Sequence, residues 1–240
     1  MDVVVGFGPL ATSVARALGQ AGRPTVLGSP KPRSGPFLWR RVDAETGEGM
    51  RGLAKEVRRL FVVQDGPPRS AWGVAVGLAD APLTARVYAV PLDQEVPDGL
   101  TPPSAWSGVA FGTLWGPDEP LVARWSDAIA EGRHVLLADP GPMFPVPMAD
   151  ASAAVIAAAD HPGARWTVSG QTEARLPQLA EALSRHHRRP LRVTRATLGL
   201  CARHAGVDAA RIKAWVGARR APVTPGWALP EADPARWTIS

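Results

Sequence analysis

Val3-Val4-Val5-Gly6-Phe7-Gly8-Pro9-Leu10-Ala11 decides how the rest of this chain is read. Three β-branched residues in a row read as a buried strand, and the glycines and proline behind them end it. Over 12–21, Val14, Ala17, Leu18 and Ala21 recur at helical spacing. Gly22 stops that helix, and Pro24-Thr25-Val26-Leu27 reads as a second strand. A strand, a helix and a strand in this order form a βαβ unit, whose two strands run parallel.

The alternation continues outward. Residues 28–36 read as a Gly-, Pro- and Ser-containing loop, and Arg41-Val42-Asp43 as a short third strand. A helix is expected over 50–58, a buried strand over 60–63, a loop and helix over 66–81, and a fifth strand over 85–90. The stretch 91–107 is polar and proline-rich. A sixth strand is expected over 109–114, closed by Gly116-Pro117. Further helices are expected over 121–131, 150–159, 176–186 and 198–218, with strands over 134–138, 165–168 and 191–193. The segment from Pro222 on reads as a surface tail. Alternating strands and helices predict an α/β fold: a Rossmann-like, doubly wound parallel sheet with a smaller C-terminal substrate-binding lobe. The division falls near residue 120, with 1–120 as the Rossmann region and 121–240 as a lobe interwoven with the sheet.

Composition narrows the function. The chain has 240 residues, 45% of them hydrophobic, which suits a globular protein with a sizeable core. No run reaches the ~20 apolar residues of a membrane span. The start of the chain shows no basic leader, and the single Cys201 suits a reducing compartment, so the expected location is cytoplasmic. Cys201 lies in an apolar helical stretch and reads as core. Net charge is +5, and all but three of the 27 cations are arginine. They are scattered singly or in pairs without a nucleic-acid module, so neither nucleic acid nor membrane is an expected partner. A basic surface suits a phosphate-bearing ligand. The five histidines, His134, His161, His186, His187 and His204, form no ligand spacing, so no metal is expected.

Gly6-x-Gly8-x-x-Ala11 matches the dinucleotide fingerprint in its alanine form, with a strand before it and a helix after it. Gly6 permits the tight turn. Gly8 lets backbone approach a pyrophosphate. Pro9 sits where a missing N–H costs little, and Ala11 is small enough for close helix–strand packing. With Leu10, these residues are the expected cofactor cradle at a helix N-terminus. An acidic residue at the end of the second strand would favour NAD. Here Gly28-Ser29-Pro30-Lys31-Pro32-Arg33 stands instead, so Ser29, Lys31 and Arg33 point to a 2′-phosphate and to NADP, with NAD or no cofactor as the other readings.

The order of elements resembles the extended, atypical branch of the short-chain dehydrogenase/reductase superfamily, of the nucleoside-diphosphate-sugar epimerase type. The resemblance rests on Val3–Ala11 and Arg41-Val42-Asp43. It continues in Thr113-Leu114-Trp115-Gly116-Pro117, Pro145-Val146-Pro147-Met148-Ala149-Asp150-Ala151 and Arg165-Trp166-Thr167-Val168-Ser169-Gly170. It implies a nucleotide cofactor and a Tyr-x-x-x-Lys catalytic pair. That pair is missing: the one tyrosine is Tyr88, and position 92 is Leu. Asp150 reads as a helix N-cap.

Replacement chemistry is expected at the carboxyl ends of the strands. Gln64, Asp65 and Arg69 follow the fourth strand. Asp93, Gln94 and Glu95 follow the fifth, and Trp115, Asp118 and Glu119 the sixth. Asp93, Glu95 and Asp118 are the candidate catalytic carboxylates, since a carboxylate desolvated beside an aromatic group can act as acid or base. Trp106, Trp115 and Trp125 read either as an apolar substrate pocket or as core, and Tyr88 either as a cleft residue or as core. Three functions follow: an NADP(H)-using reductase, isomerase or cyclase acting on a small hydrophobic or natural-product-like molecule; a cofactor-free enzyme on the same scaffold; or a non-catalytic nucleotide sensor. A homodimer is compatible with each.

Overall fold

Strand β1 (Asp2–Gly6) sits inside the main sheet because every one of its residues is buried. The computed structural model describes residues 1–6, 8–43, 46, 48–50, 56–64, 81–92, 106–170 and 172–206. In chain order follow α1 (Pro9–Gln20), β2 (Thr25–Ser29), β3 (Leu38–Arg41), β4 (Arg59–Val63), β5 (Ala85–Pro91), β6 (Trp106–Phe111) and β7 (Leu114–Trp115). Then come α2 (Pro120–Ala130), β8 (Val135–Leu137), β9 (Val146–Pro147), α3 (Met148–Ala157), β10 (Arg165–Val168), α4 (Leu176–His187), β11 (Val193–Arg195) and α5 (Leu198–Ala205). The seven-stranded sheet has the order β3-β2-β1-β4-β5-β6-β10, and every neighbouring pair is parallel. This is the doubly wound α/β architecture the sequence predicts.

Period-2 alternation assigns each side chain to one of two cores. Val4, Leu27, Phe61, Val63, Val87, Ala89, Val109 and Phe111 pack on one face, under α1 and α3. Val3, Val5, Val26, Leu60, Val62, Tyr88 and Val90 pack on the other, with Met50, Val57 and Ala81. A third core holds the C-terminal elements: α2, α4 and α5 close over β8 through Leu121, Trp125, Ile129, Val135, Leu179, Leu183 and Cys201. Two short parallel pairs, β8 with β11 and β7 with β9, lie outside the main sheet.

Several boundaries differ from the sequence reading. Helix α1 starts at Pro9, three residues early, and β2 runs on through Gly28 and Ser29, which are therefore strand and not loop. The third strand is Leu38–Arg41, not 41–43. It is a sheet edge with all four residues exposed, so no buried alternation marks it. The sixth strand begins at Trp106 and ends at Phe111, with β7 a separate piece. Residues 56–58 precede β4 without forming helix; 51–55, 65–80, 93–105 and 207–240 lie outside the described residues. Strand β11 sits two residues later than expected. Helix α5 stops at Ala205 because Gly206 takes φ +70°, a left-handed cap; the rest of the expected helix, 207–218, lies outside the described residues. Helix α3 is capped by Pro147, so Asp150 lies inside its first turn. There its charge still suits the positive end of the helix.

At the amino edge of the sheet, Arg59 clamps Asp2 with two hydrogen bonds. Nε donates to Oδ1 at 2.8 Å and Nη2 donates to Oδ2. Both side chains are buried, and the guanidinium lies 5.3 Å from the centre of the Phe61 ring. Cutting one half of a buried pair strands the other charge. Asp2→Ala is therefore expected to lower the unfolding free energy by about 3 kcal/mol, measured by urea denaturation.

Candidate functional site

The fingerprint turn takes its shape from a close approach. A Cβ on Gly6 would stand 2.5 Å from the Cβ of Ala11 and 2.5 Å from the carbonyl oxygen of Val63. Gly6 and Ala11 are thus small for one reason: helix α1 is pressed against the ends of β1 and β4. Gly8 is the N-cap of α1, with extended backbone, and no side chain caps the helix. The first turn contains Pro9 and no acidic residue. Gly8, Pro9, Leu10 and Ala11 are all buried beneath the turn. The helix therefore directs its positive end to the carboxyl edge of the sheet, with no carboxylate of its own to neutralise it. The Thr12 hydroxyl turns back on the Gly8 carbonyl at 3.5 Å.

At the end of β2 the candidate 2′-phosphate residues divide. The Ser29 hydroxyl donates to the carbonyl of Lys31 at 2.7 Å and accepts the indole N–H of Trp39 at 3.0 Å. Its one proton is spent shaping the turn. Lys31 and Arg33 are exposed. The register sets Arg40 beside Gly28 and Arg41 beside Ser29, and both are exposed. Four cations therefore surround the end of β2. Arg40 and Arg41 were missed as ligand candidates because their edge strand carries no apolar pattern.

The remaining candidates fall in different places. Asp118 pairs with Arg16 of α1 at 2.8 Å, with both side chains about two-fifths exposed. Its carboxylate ties the loop before α2 to α1 in a solvated pair. Asp93 and Glu95 lie outside the described residues, as do Asp65, Arg69 and Gln94. Glu119 is buried at the N-cap of α2. Trp115 is buried in the C-terminal core, and Trp125 beside it donates its indole N–H to the Leu136 carbonyl at 3.2 Å. Trp106 lies at the amino end of β6, the edge of the sheet away from the strand ends, and is also buried. All three tryptophans pack in cores. Among the described residues no group of three His, Cys, Asp or Glu is placed to hold a metal, and no helix is long and apolar enough to cross a membrane.

Tyr88 is central. It sits between Val62 and Gly108 in register, on the sheet face away from α1. Its hydroxyl donates to Oε1 of Gln64 at 2.6 Å. Gln64 itself follows β4 directly, and its N–H donates to the Ala89 carbonyl. The phenol thus fixes the orientation of a carboxamide at the carboxyl end of β4, a partnership with no spacing rule to reveal it in the sequence. Burial pushes the Tyr88 phenol up to about 12.

No protein-family model matches the chain, and no curated protein matches it in sequence. Solved structures do match in fold. UDP-glucose 4-epimerase of Thermus thermophilus, in complex with NAD, superposes with a TM-score of 0.64 at 15% identity, over 99% of this chain and 97% of that one. UDP-N-acetylglucosamine 4-epimerase of Bacillus cereus gives 0.60 at 13% identity, over 92% of each chain. dTDP-glucose 4,6-dehydratase of Bacillus anthracis, in complex with NAD, gives 0.62 at 11% identity, over 82% of this chain and 85% of that one. The chain has the Rossmann-like fold of the nucleotide-sugar epimerases and dehydratases, as the sequence resemblance implied.

The Tyr88 shift sets a pH dependence. The unfolded phenol ionises near 10, the folded one near 12, so above pH 10 the unfolded state releases its proton first. Stability contributed by neutral Tyr88 is therefore full below pH 10 and lost as pH climbs towards 12. Urea denaturation from pH 8 to 11.5 should show this fall, and Tyr88→Phe should show a smaller one. At pH 8 the same variant should be less stable by about 1 kcal/mol, from the lost hydrogen bond to Gln64.

Proposed function

We propose that this protein is an NADP(H)-binding enzyme of the epimerase-like Rossmann class that acts on a small molecule without a Tyr-x-x-x-Lys pair. The observation that carries the reading is the turn from Gly6 to Ala11: an uncapped helix N-terminus at the carboxyl edge of a parallel sheet, free of acidic residues in its first turn. That edge is where ligands bind in open α/β sheets. The donor set fits a dinucleotide. The start of α1 would face the pyrophosphate, and Lys31, Arg33, Arg40 and Arg41 would surround a 2′-phosphate, with Ser29 holding the turn that presents Lys31. A bound nicotinamide supplies hydride transfer; the protein must supply the acid–base group.

Neither Tyr88 nor Asp118 suits that role. Tyr88 is buried, with a raised pKa and a committed proton, and Asp118 is paired with Arg16. The reaction is therefore a reduction, isomerisation or cyclisation whose proton comes from another group or from solvent, Asp93 and Glu95 being the first residues to vary. The tryptophans give no support to a flat apolar pocket, since all three are packed. A cofactor-free enzyme is favoured by one observation: Gly6 and Ala11 are required by helix–strand packing alone, so the fingerprint would persist without a nucleotide.

Calorimetric titration of nucleotide-free protein separates the two. NADPH is expected to bind in the micromolar range and NADH more weakly, with Gly8→Asp abolishing both. K31E/R33E should weaken NADPH by about tenfold or more and leave NADH little changed, because a charge-assisted contact to the 2′-phosphate is worth roughly 1.5–3 kcal/mol. No heat with either nucleotide would leave the cofactor-free reading.

A further inference from the structure

The C-terminal lobe carries a block of charge that the nucleotide reading does not use. Between Glu181 and Asp208 the sequence has no acidic residue, yet it holds Arg185, Arg188, Arg189, Arg192, Arg195 and Arg203. All six arginines are exposed, and none forms an ion pair among the described residues. They belong to adjoining elements: the last turn of α4, the loop after it, β11, and the end of α5. Arg188 takes φ +53° as the cap of α4, which turns the chain so that the loop and β11 continue directly from the helix end. Among the described residues strand β11 pairs only with β8, and all three of its residues are exposed. Glu131, on the turn leading into β8, is already held by Arg133.

Helix-dipole stabilisation accounts for Arg185 and Arg203, in the last turns of α4 and α5. It does not account for Arg189 and Arg192 in the loop, or for Arg195, which lies two residues before the N-cap of α5 where the dipole is positive, and exposed cations along this one stretch repel one another. Apolar side chains lie among them. Val193 is 40% exposed and Leu200 45% exposed, on β11 and α5. Arginines around exposed apolar residues have the anatomy of a protein-docking surface, where an apolar centre is rimmed by polar groups and arginine is enriched. A surface reading only phosphates has no use for Val193 and Leu200.

We propose that the face formed by the end of α4, the 188–192 loop, β11 and α5 docks an acidic protein segment. Its carboxylates meet the arginines, and its apolar side chains cover Val193 and Leu200. The charges set the encounter rate and the orientation, and the apolar contact slows release.

The test uses the full chain and two fluorescein-labelled probes of equal length: a glutamate-rich peptide containing two leucines, and an oligothymidylate. Binding is read by fluorescence anisotropy. The peptide is expected to bind, and to bind more tightly than the oligothymidylate. R185E/R192E/R195E should weaken it by about tenfold or more. V193S/L200S should weaken it by about threefold or more at a salt concentration where the charges are screened. K31E/R33E/R40E, an equal charge reversal at the far end of the sheet, should leave it unchanged. Thermal unfolding of each variant reports whether the fold is kept, and a salt titration of the unaltered protein gives the electrostatic share without any substitution. Absence of peptide binding at low salt overturns the proposal. So does oligothymidylate binding that is tighter and indifferent to V193S/L200S, or equal weakening by the two charge reversals. NADPH titration of R185E/R192E/R195E should match the unaltered protein, so failure here is distinct from failure of the nucleotide reading.

Discussion

The pressing of α1 onto the ends of β1 and β4 is the constraint from which the site follows. The Gly6 position has no room for a Cβ, because Ala11 and the Val63 carbonyl already occupy that space. Two small residues five positions apart let a helix start directly on a strand end. That contact fixes the direction of the helix dipole, and with it the place where negative charge is welcome. Ser13 and Ser152 extend the same packing sideways with a 2.8 Å hydrogen bond between their hydroxyls, so α3 is tied to α1. Asp118 and Arg16 extend it towards α2. A single close approach thereby orients three helices around one edge of the sheet.

The two faces of the sheet do different work. The face under α1 and α3 carries its buried ion pair, Asp2 and Arg59, at the amino ends of the strands, while the other face holds a neutral polar pair, Tyr88 and Gln64, near the carboxyl ends. A buried phenol without a partner would be costly, and Gln64 supplies the acceptor. The arrangement accounts for how the sole tyrosine of the chain sits in the core. It serves as a strut and keeps its proton.

Much of the fold was legible because buried strands announce themselves. Val3–Val5 and 60–63 are continuous apolar runs and 85–90 is apolar but for Arg86, and the three occupy adjacent central positions of the sheet. Exposed strands were not legible to the residue: Leu38–Arg41 and Val193–Arg195 sit at edges, where no alternation is enforced. The helix expected from 198 is broken at Gly206 by a left-handed cap, and 207–218 lie outside the described residues. The fingerprint could be read because it is local. The Tyr88–Gln64 bond and the gathering of Arg40 and Arg41 beside Ser29 depend on strand register, and the Asp118–Arg16 pair on how a distant loop meets α1, neither of which spacing encodes. The tryptophans were left open between pocket and core for a related reason: an indole has the same spelling whether it faces a cleft or a core, and Trp106, Trp115 and Trp125 are packed in cores.

Strand β10 pairs with β6, although more than fifty residues and two helices, α2 and α3, lie between them. During synthesis the ribosome releases β6 long before its neighbour exists. Until Val168 has emerged, the nascent chain carries an apolar strand with one side of its backbone unclaimed, a template for the wrong partner. α2, β8 and α3 must all be made before β10 can dock, and α4, β11 and α5 of the C-terminal core follow it. Co-translational maturation of this protein therefore has a late, non-local closing step, and the interval before it is when a chaperone would have most to protect.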